Sequence, residues 1–493
     1  VVVRPLARAA TLTGTMALRR AVAAVAVAAA VAATVAGPVP PGAGADQAGN
    51  DAVVVATPVL SVRRLPAAVV DATARTRLAD SLNAVMAASP PDTCLLVTDG
   101  DDVVYHAGTL APLTPASVLK VVTGAAAVDV LGPRTRFTTS VSVATAAPGG
   151  VVDGNVYLVG GGDPVLVTDG YARSRPLADQ RVTTSLEELA DAVAATGITA
   201  VAGSVVGDAT RFDTATQVPT WDPTYLDGTT VGPLGALRVN GGFVGWTADP
   251  GRLGPVLGRG DPAALAAQTF TALLARRGVQ VAGAATTGVA PPGSVVVAQV
   301  ASAQLDELVA DMVAHSDNAA AEMLVKELGR VAGSSPTTAA GLEVVARWMS
   351  EVTDGDDAAV VLTDGSGLDT GNRMGCATVE AVLVAAAGVL DGAMAVSGTT
   401  GTLAERLGAD AAGRIRAKTG TLNGVRGLAG YADTDGGDTL TFAYLANAEP
   451  FDPALDVAVV DLAATALLAW PQAPPVADVS PLAPVASPTA AGD

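Results

Sequence analysis

The apolar pattern of this chain changes twice along its length, and the double change limits its architecture more than any other feature. Before about residue 137 and after Val295, apolar positions at helical spacing alternate with short strand-like runs. Between Phe137 and Ala290, short β-branched runs (TTSVSVA, VVDGNVYLVG, AVAGSVVGDA) alternate with Gly, Asp and Pro turns. One clear helix, Ser185 to Ala195, lies in that middle region. The pattern predicts one domain built from two separated stretches, 66–140 and 295–470, and interrupted by an α+β insert over 141–294. Residues 46–65 read as a linker, and the Pro/Ala-rich tail over 471–493 as disordered. The class is α/β (α+β) and multi-domain.

In the first outer stretch, Val69 to Ala88 has helical spacing. Strands Cys94–Thr98 and Val103–His106 flank the turn Asp99-Gly-Asp-Asp. LTPASVLKVVTGAAAVDVLG follows as a helix, with Thr114 as N-cap, Pro115 at the first helical position and Gly132 past the end. After Val295 come the strand VVVAQV, the helix LDELVADMV and the segment HSDNAAAEMLVKELG. Helices near 339–351 and 377–390 and strands beyond Arg414 complete the pattern.

With 493 residues, half of them apolar but 3% aromatic, the core is made of Ala, Val and Leu. A formal charge of −19 argues against nucleic acid and against a polybasic membrane patch. Two cysteines, Cys94 and Cys376, exclude a disulfide scaffold and a Cys-based zinc site. They either pair or stay as thiols; two buried thiols are the expectation, since burial is the usual fate of free Cys. With only His106 and His315, a His-rich metal centre is excluded, and a Ser-His-Asp triad would have to use one of them.

Met16-Ala-Leu-Arg-Arg20, the uncharged apolar stretch Ala21–Ala36 and the small-x-small site Ala43-Gly44-Ala45 read as a secretion signal. An uncleaved N-terminal anchor is the competing reading for residues 1–45. Either way the mature protein is expected outside the cytoplasm, secreted, in the cell wall, or on the outer face of the cytoplasmic membrane.

Three short segments carry chemistry. In Ser117-Val-Leu-Lys120 the helical spacing places a hydroxyl beside an amine. A serine needs a base to become a nucleophile, and in a chain this poor in histidine a neutral lysine is the available one. Taken alone, the pair reads as a helical serine beside a surface lysine. Ser316-Asp317-Asn318 offers a hydroxyl and an amide, but taken alone it is a helix cap. Lys418-Thr419-Gly420-Thr421 places a lysine on a strand beside a glycine that lets another backbone come close. The alternative there is an edge turn. The chain has only three lysines, so a chance Lys-Thr-Gly is expected on the order of 0.03 times. Two of the three lysines lie in two of the three motifs, in the order S-x-x-K, S-x-N, K-T-G, and the joint occurrence reverses the separate readings.

The sequence resembles the D-alanyl-D-alanine carboxypeptidases/endopeptidases of the low-molecular-mass class C penicillin-binding proteins, over roughly residues 65–470. PLTPASVLKVVTGAAAVDVLG, YLVGGGDPVL, HSDNAAAEMLVKELG, LTDGSGLD and RIRAKTGTLNGVRGLAGY carry the likeness. The 199 residues from Ser117 to Ser316 agree with an inserted domain. The resemblance implies a penicillin-binding-protein/β-lactamase-like transpeptidase fold, an antiparallel sheet covered by helices. It implies Ser117 as the acylated nucleophile, Lys120 as its base and Ser316 as the proton relay to the leaving amine. Asn318 would orient Lys120 and the substrate amide, and Lys418 would help keep Lys120 neutral. Lys418 would also attract the substrate carboxylate, which Thr419 and Thr421 bind beside Gly420. The N–H groups of Ser117 and Thr421 would form the oxyanion hole, worth about 3–4 kcal/mol per donor.

The implied reaction hydrolyses D-Ala-D-Ala in peptidoglycan stem peptides, or a cross-link between them, without metal or organic cofactor. β-Lactams would act as covalent inhibitors at Ser117. Two rivals are a serine β-lactamase and a non-hydrolytic penicillin- or peptidoglycan-binding sensor. No E-x-x-L-N follows between Asn318 and Lys418, against the first, and every motif is intact, against the second.

Four other segments have their own expectations. Gly160-Gly-Gly-Asp163 reads as a tight turn rather than a phosphate loop. Trp221 and Tyr225 would line the cleft or fill the insert's small core. Asp364-Gly-Ser-Gly367 reads as a turn, or by resemblance as a segment near the cleft. His315 is expected to be structural.

Overall fold

The structure, a computed structural model, describes residues 66–174, 181–226, 230–245, 256–257, 260–355, 359–448 and 453–471. The signal, the linker and the tail beyond 471 lie outside the described residues. The chain runs α1 (Pro66–Ala88), β1 (Asp92–Asp99), β2 (Asp102–Gly108), α2 (Leu119–Leu131), β3 (Thr138–Val143) and β4 (Val156–Val159). It continues through α3 (Leu186–Ala195), β5 (Val205–Asp208), α4 (Pro262–Arg276), β6 (Thr286–Thr287), β7 (Val295–Ala301), α5 (Leu305–His315) and α6 (Asn318–Ala332). It ends with α7 (Thr338–Val352), α8 (Cys376–Ala385), β8 (Ala395–Val396), β9 (Ile415–Leu422), β10 (Val425–Asp433), β11 (Thr439–Asn447) and α9 (Pro453–Ala466).

A six-stranded antiparallel sheet, ordered β8-β9-β10-β11-β1-β2, organises the first and last parts of the chain. Side chains alternate across a strand, so a sheet covered on both faces needs apolar residues at every position. Here they are: Leu95, Val97, Leu428, Leu440, Phe442 and Tyr444 face the layer holding α1 and α9. Leu96, Ala429, Tyr431, Ala443 and Leu445 face the layer holding α2, α5, α7 and α8. In α1 the stripe Ala74, Leu78, Leu82 and Val85 supplies the helical face that closes one side. Among the described residues no single helix is long and apolar enough to cross a membrane.

Cys94 lies on the same sheet face as Leu96 and meets the start of α8. It is bonded to Cys376, with Cα atoms 6.0 Å apart. The expectation of two free thiols is therefore wrong. Both sulfurs are buried, and the fold brings together positions 282 residues apart in sequence.

A second sheet, ordered β6-β5-β4-β3-β7, is mixed: β3 pairs antiparallel with β4 and β7, while β5 pairs parallel with β4 and β6. The chain enters on β3 and leaves on the adjacent β7. Helices α3 and α4 cover this sheet, and Leu186, Leu189, Val193, Phe270 and Leu274 fill its core. Helix α3 lies where the sequence pattern predicts one, whereas α4 has no counterpart in that pattern. Helix α4 starts with an Asp261 cap and Pro262 at its first turn, a pair that reads as loop signals, and the first half of its buried stripe is alanine.

The cap expected at Thr114 is also corrected. A single 3-10 turn, Ala116–Val118, precedes α2, and no side chain caps either element. Thr114 instead donates its backbone N–H to Asn447 Oδ1 at 2.8 Å, and its Oγ1 accepts from Arg373 at 2.8 Å. Gly132, at φ 88°, ends α2 as expected.

Candidate active site

The 3-10 turn that carries Ser117 is held in an unusual backbone state. Ala116 has φ 48°, a left-handed conformation that costs a non-glycine residue roughly 1–3 kcal/mol and needs surrounding support. Two glycines allow that support. A Cβ on Gly367 would lie 1.9 Å from the Ala116 carbonyl oxygen, and one on Gly420 of β9 would lie 2.7 Å from the Pro115 carbonyl oxygen. The turn is thus gripped between the 363–372 segment and the strand bearing Lys418.

Lys120 is fully buried in the first turn of α2, one helical turn beyond Ser117. Its Nζ donates to Ser117 Oγ at 2.9 Å, Asn318 Oδ1 at 2.6 Å and the Ser366 carbonyl at 2.6 Å. Ser117 itself is only half-buried. Burial lowers the Lys120 amine to about 8, against the opposing pull of Asp364, Glu322 and Asp317.

The segment Ser316-Asp317-Asn318 is both a cap and part of the cluster. Ser316 ends α5 in the left-handed region at φ 61°, and Asp317 caps α6 by accepting from Ala320 N at 2.9 Å. Burial would raise the Asp317 carboxyl, but Arg181 and Arg238 hold it down at about 2. Arg181 bridges it at 3.0 Å and also Asp311 at 2.7 Å. Asn318, thereby fixed at the helix start, donates Nδ2 to the Thr230 carbonyl at 2.8 Å. That bond orients the amide so that its oxygen faces Lys120.

Lys418 is fully buried on β9, and its Nζ donates to the Thr419 carbonyl at 2.8 Å. Burial and then the charge of Lys120 push its amine well below the ordinary lysine range. Thr419 Oγ1 donates to Thr402 Oγ1 at 3.0 Å. Gly420 backs the Ser117 turn, and Thr421 is exposed. Strand β8 pairs only with Arg416 and Ala417, so among the described strands none pairs with that edge of β9 from Lys418 to Thr421.

Of the residues singled out from sequence, Ser117, Lys120 and Asn318 are joined by hydrogen bonds. Lys418 lies close enough for the charge of Lys120 to depress its amine. Ser316 Oγ has no hydrogen-bond partner among the described residues, and no hydrogen bond joins it to Ser117 or Lys120.

Three groups escaped the sequence reading. The Ser366 carbonyl is a backbone acceptor with no side-chain signature. Glu322, one of two acids on α6, is fully buried beneath it. Thr230 acts through its carbonyl. Asp364-Gly-Ser-Gly367 is a turn, and it also reaches Lys120. Trp221 fills neither the cleft nor the core of the second sheet alone: its indole donates to Asp364 Oδ2 at 2.8 Å, and it packs on Ala319 and Leu368. Tyr225 OH donates to the Leu368 carbonyl at 3.3 Å.

Asp163 ends a tight glycine turn, with Oδ1 accepting from Val165 N at 2.9 Å. His315 is held by Asp311. The third lysine, Lys326, is buried against Asp213 and donates to the Ala215 carbonyl at 3.0 Å. Its neighbour Glu327 takes Arg211 in a two-point pair. These contacts tie the residues beyond β5 to α6, the helix that starts with Asn318.

Residues 92–257 and 256–466 match the D-Ala-D-Ala carboxypeptidase 3 (S13) family. The chain belongs to that family. It is 32% identical over 399 residues to carboxypeptidase DacB of Mycolicibacterium smegmatis, covering 76% of this chain and 80% of that one. It is 31% identical over 413 residues to a D-alanyl-D-alanine carboxypeptidase of Actinomadura sp., covering 68% and 73%. In fold it is similar to penicillin-binding protein 4 (dacB) of Haemophilus influenzae, with TM-score 0.64, 19% identity, and coverage of 78% of this chain and 97% of that one. This S13 peptidase therefore has the penicillin-binding-protein-like fold and is a serine-type D-Ala-D-Ala carboxypeptidase.

Proposed function

We propose that Ser117 is the nucleophile of this peptidase and Lys120 the base that activates it. The observation that carries the assignment is the set of three acceptors around Lys120 Nζ. Asn318 Oδ1 and the Ser366 carbonyl can only accept, so they take both N–H bonds of a neutral amine. The one remaining direction, the lone pair, then points at the Ser117 hydroxyl 2.9 Å away. A neutral amine is thus pre-aimed at the proton it must remove.

Ser117 Oγ attacks the carbonyl between the two terminal D-Ala residues as its proton passes to Lys120 Nζ. The N–H groups of Ser117 and Thr421 stabilise the oxyanion. The C–N bond then breaks, and the proton returns from Lys120 through Ser316 Oγ to the leaving amine. Water hydrolyses the ester, again giving a proton to Lys120, and frees Ser117. The open edge of β9 pairs with the peptide backbone. Lys418, Thr419 and Thr421 hold the terminal carboxylate, whose negative charge favours the ammonium form of Lys418, and that charge then opposes protonation of Lys120.

The substrate is the peptidoglycan stem peptide or a cross-link, and penicillins acylate the same hydroxyl. The catalytic part comprises 66–140 and 295–470, with 141–294 as the insert. The peptidase works outside the cytoplasm, secreted by or tethered through residues 1–45.

Release of D-Ala from a stem-peptide mimic tests this reading. The wild type releases D-Ala and Ser117→Ala releases none. Undiminished release by Ser117→Ala overturns the assignment.

A further inference from the structure

Two carboxyl groups, Asp364 and Glu322, lie fully buried within reach of Lys120, and their surroundings differ sharply. Asp364 accepts from Trp221 Nε1, Asn372 Nδ2, Gly367 N and Asp369 N, each at 2.8 Å, and from Ser366 Oγ at 3.3 Å. Five donors on two oxygens suit an acceptor-only carboxylate. Glu322 accepts on Oε1 alone, from Gly365 N at 3.0 Å and Ser366 N at 2.7 Å. Its Oε2 is buried with no hydrogen-bond partner among the described residues. A bare anionic oxygen in that position is costly, whereas the oxygen of a protonated acid is far less so.

The position of Glu322 gives this difference a consequence. The two amides it holds flank Ser366, whose carbonyl accepts from Lys120 Nζ at 2.6 Å. Thr123 of α2 holds the same turn by donating Oγ1 to the Gly365 carbonyl at 2.6 Å. The charged groups facing Glu322 are Asp364 from the turn and Lys120 from α2; Lys326, one turn along its own helix, points to Asp213 instead.

We propose that Glu322 is a positioning residue that is a carboxylic acid at neutral pH, fixing the Ser366 carbonyl while withholding the charge that would keep Lys120 an ammonium. This rests on Lys120 being the base. Burial, then the adjacent Asp364, raise the Glu322 carboxyl to about 8 against the lowering influence of the Ser366 side chain and the two amide donors, which agrees with a protonated side chain at neutral pH. When Glu322 ionises it raises Lys120 in turn, so the two groups share protons over one pH interval. The base-competent form is the uncharged pair. The competing form is the ion pair.

The test is the second-order rate of acylation by a fluorescent penicillin across the alkaline and acid limbs, in wild type, Glu322→Gln and Ser117→Ala. In the wild type the rise with pH is broader than a one-proton step. Glu322→Gln keeps the acceptor for both amides and never carries charge. Its rise is therefore a simple one-proton step displaced to lower pH, and a half-unit displacement gives about threefold faster acylation in the interval where wild-type Glu322 is ionised. An unchanged midpoint and shape, with or without a uniformly lower rate, overturns the proposal, since a purely structural role predicts that result.

Should Glu322→Gln fail to fold, the wild type supplies a second readout. With carboxyl-labelled glutamate, an infrared band of protonated acid present at neutral pH is lost in the interval where acylation climbs. Absence of that band at neutral pH overturns the proposal. Labelling of Ser117→Ala would refute the nucleophile assignment instead, leaving the infrared result to judge Glu322 separately.

Discussion

Adding one methyl group at Gly420 probes how tightly the nucleophile is gripped. The new Cβ would lie 2.7 Å from the Pro115 carbonyl oxygen, 3.1 Å from Val118 Cγ2 and 3.4 Å from Ala116 Cβ. The first contact falls about 0.7 Å short of ordinary van der Waals distance, and it is to backbone. Strand β9 is pinned by β10 over its whole length, from Ile415 opposite Ala432 to Leu422 opposite Val425. The softer partner is therefore the turn, and Ser117 moves with it. Since a misplacement of about 1 Å costs on the order of 100-fold, a shift of this size lowers acylation roughly 10- to 100-fold. Overpacking costs about 1–3 kcal/mol, so Gly420→Ala remains folded with a modestly lower Tm. Gly427→Ala is the graded control, because its closest contact, at 2.8 Å, is the Val118 side chain. Gly388→Ala, with nothing within 4 Å, is the blank. The assay is stopped-flow acylation beside a thermal melt. A folded Gly420→Ala that acylates at the wild-type rate refutes the claim that β9 sets the position of Ser117.

Further outcomes follow from the same contacts. Asp317 is held at about 2 in the folded state against 3.8 unfolded, so its ionised form stabilises above the unfolded value and that benefit fades as pH falls through about 2. Asp317→Asn, which keeps the cap, should lose about 2 kcal/mol above pH 4 and nothing below pH 2 by chemical denaturation; an equal deficit at both pH values contradicts it. Trp221→Phe keeps the ring but deprives buried Asp364 of one donor at 2.8 Å, a loss of about 1–3 kcal/mol read by the same method. Removing the Cys94–Cys376 bond with a double alanine variant frees a loop spanning 282 residues and should cost about 3–5 kcal/mol, without changing the acylation rate of the folded fraction. No loss of stability would contradict the bond as a folded-state constraint.

Much of the site was legible because side-chain chemistry and spacing coincide there. Ser117 and Lys120 share a helical face, Gly420 permits a close approach, and a chain with three lysines makes each one conspicuous. Asp317 and Asn318 were legible twice over, since capping α6 and holding Lys120 use the same local geometry. The sheet was readable from its apolar strands, but whether Cys94 pairs with Cys376 was not. Pairing depends on which face of β1 meets α8, and no local pattern reports that. The Ser366 and Thr230 carbonyls act through groups that every residue has. Glu322 carries no pattern at all; its importance comes from burial by elements remote in sequence. Helix α4 was lost because Asp-Pro and a run of alanines resemble a loop until packed against β5.

The most direct measurement is peptide mapping of the adduct formed when the protein is incubated with penicillin. A single adduct on Ser117, absent in Ser117→Ala and formed orders of magnitude more slowly in Lys120→Met, is the predicted result. An adduct on any other residue, or an undiminished rate without the Lys120 amine, would contradict an attack by Ser117 on a substrate carbonyl with a neutral lysine as base.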